Sequence, residues 1–294
     1  MHAVDLTRDT IERWTKSDQL LNPARRPDYY ATLKQAALSA GDIDESDLTR
    51  SIQRRLWGKA QAGADASILA LPFGLSLSAG STDIISFLGL YGLFTAHITG
   101  NIVILAAHMV AGNPTIFSYI LSVPVFMLVL LVTRLLAGGF ERSGISTLRP
   151  LLLLQLIFLA VFLLLCVTAG PWGSADALLA IIAGMFGVAA MAVQNAHVQI
   201  SLRNSPTTAV MTTNVTHFML DLGEVLAGGD AAKVAQAHNR AMHTLPVIVG
   251  FTIGCGLGAA CETAAGLWSL ALPAGLALLA FAMGLVRSPR NTIG

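Results

Sequence analysis

Two short polar motifs interrupt a chain that is otherwise strongly apolar. TAHITGN occupies 95–101 and TAVMTTN occupies 208–214, 113 residues later. They share Thr, Ala, Thr and Asn at their first, second, fifth and seventh positions. Hydroxyl and amide groups can line a polar site or coordinate a cation, whereas inside a membrane they can also serve only as hydrogen bonds between helices. The first interpretation predicts substrate-binding residues in both motifs: Thr95, Thr99, Asn101, Thr208, Thr212 and Asn214.

Further polar residues precede each motif within apolar sequence. Asp83 lies twelve residues before the first motif, and Gln194 and Asn195 precede the second. A carboxylate inside a membrane segment is costly, which makes Asp83 a candidate for function, while the alternative is an Asp that locks helices together by hydrogen bonding. We add these three residues to the predicted site. Alignment of the motifs, with one residue of slippage in the connection, places Asn195 opposite Asp83.

If Asp83 is buried in the membrane, the groups around it must stabilise its carboxylate. A buried charged carboxylate needs donors or a cation nearby, or else its pKa rises. We expect the donors to be Thr99, Asn101 and Asn214.

Composition indicates an integral membrane protein. The chain has 294 residues, of which 54% are hydrophobic and only 12% are charged, against roughly 25% charged in soluble domains. The net charge of +1 and the absence of a basic cluster in the apolar part argue against nucleic-acid binding.

Six apolar segments are each long enough to cross about 30 Å of hydrocarbon. They occupy 67–90, 118–138, 150–170, 177–196, 244–264 and 267–286. Each half of the chain has the order span, polar motif, span, span. Three crossings in a half invert the second half relative to the first, as in inverted-repeat transporters.

The predicted fold is therefore an all-α integral membrane protein with six transmembrane helices in two inverted repeats of three. Each repeat carries a polar half-helix or re-entrant segment. The membrane domain spans 67–290, with repeat one at 67–170 and repeat two at 177–286. Six crossings place every basic loop inside, whereas eight crossings would place Arg142 and Arg149 outside. Charge thus favours six, with both termini cytoplasmic.

The amino-terminal 66 residues differ from the rest of the chain. They hold 10 of the 18 Lys and Arg residues and 10 of the 17 Asp and Glu residues, and they contain no signal-type apolar core. Residues 1–66 are predicted to form a cytoplasmic helical extension with helices at 27–40 and 44–61. The second helix either lies on an anionic membrane surface or packs on the first.

Neither enzyme nor metal chemistry is indicated. Cys166, Cys255 and Cys261 lack metal-type spacing and are expected to be small core residues without disulfides. No nucleophile elbow, zinc motif or cofactor fingerprint is present. The sequence predicts no enzymatic activity, no cofactor and no metal. Asp221 and Glu224, one turn apart, are interpreted as a solvated loop face or an inner vestibule.

The residues 79–101 and 188–214 together resemble the bacterial YoaK family, of the DUF1275 or UPF0700 type. The matching features are Asp83, the triplet TGN at 99–101, the triplet QNA at 194–196 and the threonine-rich motif 208–214. The resemblance covers about 67–290 and implies a polytopic membrane protein. It implies no reaction or substrate, because that family has no established function.

These observations favour a transporter or channel for a small polar solute or ion, with a central site between the two polar half-helices. The alternative is a membrane scaffold or accessory protein that binds a cytoplasmic partner through 1–66. Expected partners are the lipid bilayer of a bacterial inner membrane and an unidentified polar solute or ion. The sequence is compatible with a homo-oligomer.

Overall fold

The computed structural model describes residues 70–112, 117–170, 177–202 and 205–286. These residues are helical apart from short connections, and no strand occurs among them. The predicted extension 1–66, with its helices at 27–40 and 44–61, lies outside the described residues. The helices are α1 Ala70–Gly89, α2 Ile98–Ala111, α3 Phe117–Arg142, α4 Leu148–Ala169, α5 Leu178–Ser201, α6 Met211–Ala227, α7 Ala231–Ala265 and α8 Ala271–Val286.

Five helical stretches are long and apolar enough to cross a membrane, which makes the chain a multi-pass membrane protein. Four of them are α1, α3, α4 and α5. The fifth is the 55-residue run Ala231–Leu285, which contains α7, a 3-10 turn at Gly266–Leu270 and α8. The predicted count of six treats this run as two crossings.

Burial divides the helices into central and peripheral ones. About two thirds of the most apolar part of α1 and of α5 is buried, whereas only 17% of that of α3 is. The exposed side chains of α3 are nevertheless apolar, including Met127, Leu128 and Leu135. An apolar exterior around a core of small and polar residues is the arrangement expected where lipid replaces water as the solvent.

Helices α1 and α5 cross at the centre and run in opposite directions. The Gln194 side chain near the end of α5 donates to the carbonyl of Leu75 near the start of α1. At the opposite end, Gly184 of α5 lies against Leu93 and Leu90, just beyond the end of α1. The remaining helices surround this pair: α3 and α4 pack on α5, α7 packs on α1, and α4 packs on α8.

The backbones of α1 and α7 are in direct contact, because a row of glycines on α7 faces α1. A Cβ atom on Gly254 would lie 2.3 Å from the carbonyl oxygen of Leu77, and one on Gly250 would lie 2.8 Å from that of Phe73. A glycine at every fourth residue, as at Gly250, Gly254 and Gly258, predicts close helix packing, and the structure shows that packing here.

This contact predicts that Gly254→Ala destabilises the protein. The new methyl group must displace the α1 backbone, and overpacking of this kind costs about 1–3 kcal/mol. The measurement is thermal unfolding of the purified protein in detergent.

The matched control is Gly256→Ala, two residues along the same helix, where nothing lies within 4 Å of the added carbon. Alanine is the better helix former, so this variant is expected to be stabilised by about 0.5–1 kcal/mol. Equal unfolding temperatures for both variants would contradict close α1–α7 packing.

Candidate functional site

The connection between α1 and α2 folds back against α1, and Asp83 holds it there. Oδ1 of Asp83 accepts hydrogen bonds from the backbone N–H groups of Thr95 and Ala96, both at 2.8 Å. The Thr95 hydroxyl lies 3.4 Å from the same oxygen. Asp83 is only 3% exposed. Its carboxylate thus satisfies backbone donors just before α2 and lies near the positive end of that helix.

The other carboxylate oxygen of Asp83 contacts a histidine. His97 Nδ1 lies 2.6 Å from Asp83 Oδ2, and the His97 side chain is 37% exposed while that of Asp83 is 5% exposed. The hydrogen bond to Asp83 and its negative charge raise the pKa of His97 above the ordinary value, and burial opposes this rise. The pair is therefore an ionisable group that is open to the surroundings on one side only.

Asn101 closes the first loop from the opposite direction. Its Oδ1 accepts from the backbone N–H of Phe94 at 2.9 Å, and its Nδ2 donates to the carbonyl of Phe94 at 2.7 Å. Nδ2 also donates to the Ser122 hydroxyl of α3 at 3.0 Å. One amide thus fixes the loop to the start of α2 and joins it to α3.

The second loop repeats this contact. Nδ2 of Asn214 donates to the carbonyl of Thr207, seven residues earlier, at 2.6 Å. Phe94 and Asn101 have the same seven-residue separation. The matching asparagines of the two motifs therefore share a local structural role, which is to close the loop that precedes a short helix.

A neutral amide network holds the second loop in place of a carboxylate. Nε2 of Gln194 donates to the Thr208 hydroxyl at 2.8 Å, and its Oε1 accepts from Gln155 of α4 at 2.7 Å. All three side chains are fully buried. The Asn195 amide instead donates to the Met191 carbonyl of its own helix at 3.1 Å. The prediction that Asn195 is the counterpart of Asp83 in the second half is therefore wrong, because Gln194 holds the equivalent position against the second loop.

The alignment failed because the two connections differ in length. Thr95 follows Asp83 by twelve residues, whereas Thr208 follows Gln194 by fourteen. The expected donors to Asp83 were also wrong, because backbone N–H groups and His97 surround it. His97 could have been found from its place in the polar alternation of the first motif, whereas Gln155 stands alone in an apolar segment.

The two loops that carry most of the predicted site residues contact α1 at different heights. The first loop lies beside Asp83 and the second beside Ser76, seven residues away on α1, which is about 10 Å along a helix. Thr95, Asn101, Gln194 and Thr208 have no exposed surface. Two further members, Thr99 and Thr212, lie on exposed positions of α2 and α6. The part of all the predicted site residues in substrate binding remains a prediction.

The acidic residues of α6 form an ion pair. Arg240 of α7 donates to Asp221 Oδ1 from Nε at 2.9 Å and from Nη2 at 2.6 Å, and Nη2 lies 3.6 Å from Glu224. Asp221 is 6% exposed, so the solvated-face interpretation does not hold for it. Within the described ranges, no three His, Cys, Asp or Glu side chains gather as metal ligands.

The Asp83–His97 pair predicts a specific dependence of stability on pH. Because the pKa of His97 is raised in the folded protein, its stabilising effect is fully present below the unfolded value of 6.5. It is lost as the pH rises through the folded value. We expect the unfolding-temperature difference between the native protein and His97→Gln, measured in detergent, to be largest at acidic pH and to shrink as pH increases.

The control is His238→Gln, which changes an exposed histidine of α7. Its difference from the native protein is expected to stay constant over the same pH range. A constant difference for His97→Gln as well would contradict a titrating Asp83–His97 pair.

Comparisons with known proteins give a family and no function. The family described as "Protein of unknown function (DUF1275)" matches residues 71–283. No curated protein matches the chain, and no solved structure matches it. The matched range includes both loops, Asp83 and the Gln194 network. The chain therefore belongs to the DUF1275 family, the family of the YoaK-type proteins.

Proposed function

We propose that the chain is a transporter or channel of the inner membrane for a small polar solute or ion, and that it is not an enzyme. The observation that carries this proposal is the Asp83–His97 pair at the start of a short helix within an apolar bundle. Ionisable residues in such positions mark proton and solute pathways in many membrane proteins.

Six crossings are supported by the length of the last helical run. Its 55 residues would extend about 80 Å, far more than the hydrocarbon thickness of about 30 Å. The turn at Gly266, with a φ of 57°, interrupts it. Taking α7 and α8 as separate crossings gives six, with α2 and α6 as the additional short helices.

An inverted repeat is supported by the way the two halves exchange partners. In the first half α2 packs on α3, and in the second α6 packs on α7. The long helix α3 packs on α5, and its counterpart α7 packs on α1. The asparagine bonds that close the loops occur at matching positions. Antiparallel α1 and α5 are the expected centre of such symmetry.

Positive charge supports cytoplasmic termini. Arg142 ends α3, and Arg149 of α4 donates to the carbonyls of Gly284 and Leu285 at the end of α8. These charges fall on one side of a six-crossing arrangement, as the positive-inside rule requires.

Protonation offers a physical route to a moving element. Charged Asp83 accepts bonds from the Thr95 and Ala96 amides and from His97. A protonated carboxyl is a weaker acceptor, since charge-assisted hydrogen bonds are roughly twice as strong as neutral ones. Protonation of the Asp83 carboxylate itself, as distinct from protonation of His97, would therefore loosen the first loop from α1 and allow α2 to move. The closed packing of both loops corresponds to an occluded state in this scheme.

The same closed packing favours a second candidate, a membrane scaffold. Thr95, Asn101, Gln194 and Thr208 have no exposed surface, as expected of residues that only join helices. In that function the 1–66 extension binds a cytoplasmic partner and the two loops never open.

A transport assay separates the two candidates. The protein is reconstituted in liposomes that contain a pH-sensitive dye, and a library of small polar solutes is added outside. We expect at least one solute to drive proton movement, and Asp83→Asn to abolish that movement while preserving side-chain shape.

The matched control is Asp221→Asn, which changes a second buried carboxylate, one paired with Arg240. It is expected to lower stability and leave coupling per folded protein intact. Absence of solute-driven proton movement by the native protein would favour the scaffold, and full coupling by Asp83→Asn would remove Asp83 from the mechanism.

The inverted arrangement predicts opposite exposure of two equivalent helix ends. Ala111 ends α2 and Ala227 ends α6, and both are exposed. With the three native cysteines replaced by alanine, Ala111→Cys should react with a membrane-impermeant maleimide from outside the cell. Ala227→Cys should react only after the membrane is opened. Reaction of both from the same side would contradict the inverted repeat.

A further inference from the structure

A cavity at the end of the helix bundle borders the start of the first loop and lies apart from the Asp83–His97 pair. Its volume is about 390 Å³, and it lies where α1, α4 and α7 end, beside the 3-10 turn. Its lining includes Tyr91, Val167, Glu262, Leu267 and Trp268. This volume falls in the range of pockets that hold small molecules, about 300–1,000 Å³.

The backbone at the rim of this cavity is strained. Tyr91 has a φ of 57°, and among the described residues it is the one non-glycine residue with a positive φ. The Tyr119 hydroxyl of α3 donates to the Tyr91 carbonyl at 2.5 Å and holds this conformation. Strain of this kind is found preferentially at functional sites. Here it places an aromatic residue in the cavity wall.

Glu262 supplies the charge of the cavity. Its Oε2 accepts a hydrogen bond from the Ser269 hydroxyl at 2.5 Å. A Cβ atom on Gly89 would lie 3.1 Å from Glu262 Oε1 and 2.6 Å from a methyl group of Leu267. The absence of a side chain at Gly89 therefore leaves room for the carboxylate and for the leucine beside it.

The chemistry of this lining suits an organic cation. One carboxylate is combined with two aromatic residues and apolar side chains, and Lys, Arg and His are absent from the described lining. Aromatic rings attract ammonium groups and bind quaternary ammonium ligands. A calcium or magnesium ion requires several oxygen ligands, which one carboxylate does not provide. We propose that this cavity binds a small organic cation, an alkylammonium or quaternary ammonium compound.

The test measures binding to the full-length purified protein in detergent by isothermal titration calorimetry. The probe is tetramethylammonium chloride, with sodium chloride at equal ionic strength as the reference. The neutral comparison compound is neopentyl alcohol, which keeps the branched skeleton, carries no charge and has one added hydroxyl group that makes it soluble in water. We expect saturable binding of tetramethylammonium and at least tenfold weaker binding of the alcohol.

Glu262→Gln is expected to weaken tetramethylammonium binding at least tenfold, because it keeps the shape and an acceptor for Ser269 while removing the charge. The control Glu141→Gln changes an exposed carboxylate on α3 and is expected to bind like the native protein. If Glu262→Gln does not fold, Trp268→Ala replaces it, since Trp268 is 65% exposed. That variant should bind several-fold more weakly. No saturable binding by the native protein, or unchanged binding by a folded variant at either position, would overturn the proposal.

Discussion

The hydrogen bonds from the Thr95 and Ala96 amides to Asp83 are the constraint on which the first half of this fold depends. A chain that turns back within a packed helix bundle buries backbone N–H groups away from water, so such a turn exists only where the protein supplies the acceptors. Asp83 supplies them from α1, and Asn101 supplies the next one by bonding Phe94. With both in place, α2 begins beside α1 and can pack on α3.

The two halves solve the same problem with different chemistry. The first loop is fixed by a carboxylate and a histidine, and the second by the amides of Gln194 and Gln155 together with the Thr208 hydroxyl. Both loops are then closed by an asparagine that bonds a carbonyl seven residues earlier. Backbone architecture is thus shared between the halves, while ionisable groups are concentrated in one of them.

Much of the fold could be predicted from the sequence, because its main signals are local. The length of the apolar segments predicted the long helices, and the paired TA and N positions predicted both loops. The spacing of Gly250, Gly254 and Gly258 predicted a close helix contact. The site was predicted less well. The partners of Asp83 are mostly backbone groups, which carry no residue signature, and Gln155 contacts Gln194 only through packing of α4 on α5. The second connection is two residues longer than the first, so Gln194 takes the place that Asp83 has in the first half. An alignment that allowed only one residue of slippage selected Asn195 instead.

The difference between the two loops has a consequence for the response to an electric field. Moving one elementary charge through the full membrane potential changes its energy by about 2.3 kcal/mol per 100 mV. The Gln194, Gln155 and Thr208 groups carry no charge, so displacement of the second loop is unaffected by voltage through these groups. Asp83 lies on α1 and His97 lies in the first loop, so displacement of that loop from α1 moves the charge of His97 and leaves that of Asp83 behind. Voltage therefore acts on the first loop through His97 only when the imidazole is protonated, and a pH difference would set how strongly the membrane potential acts on this loop.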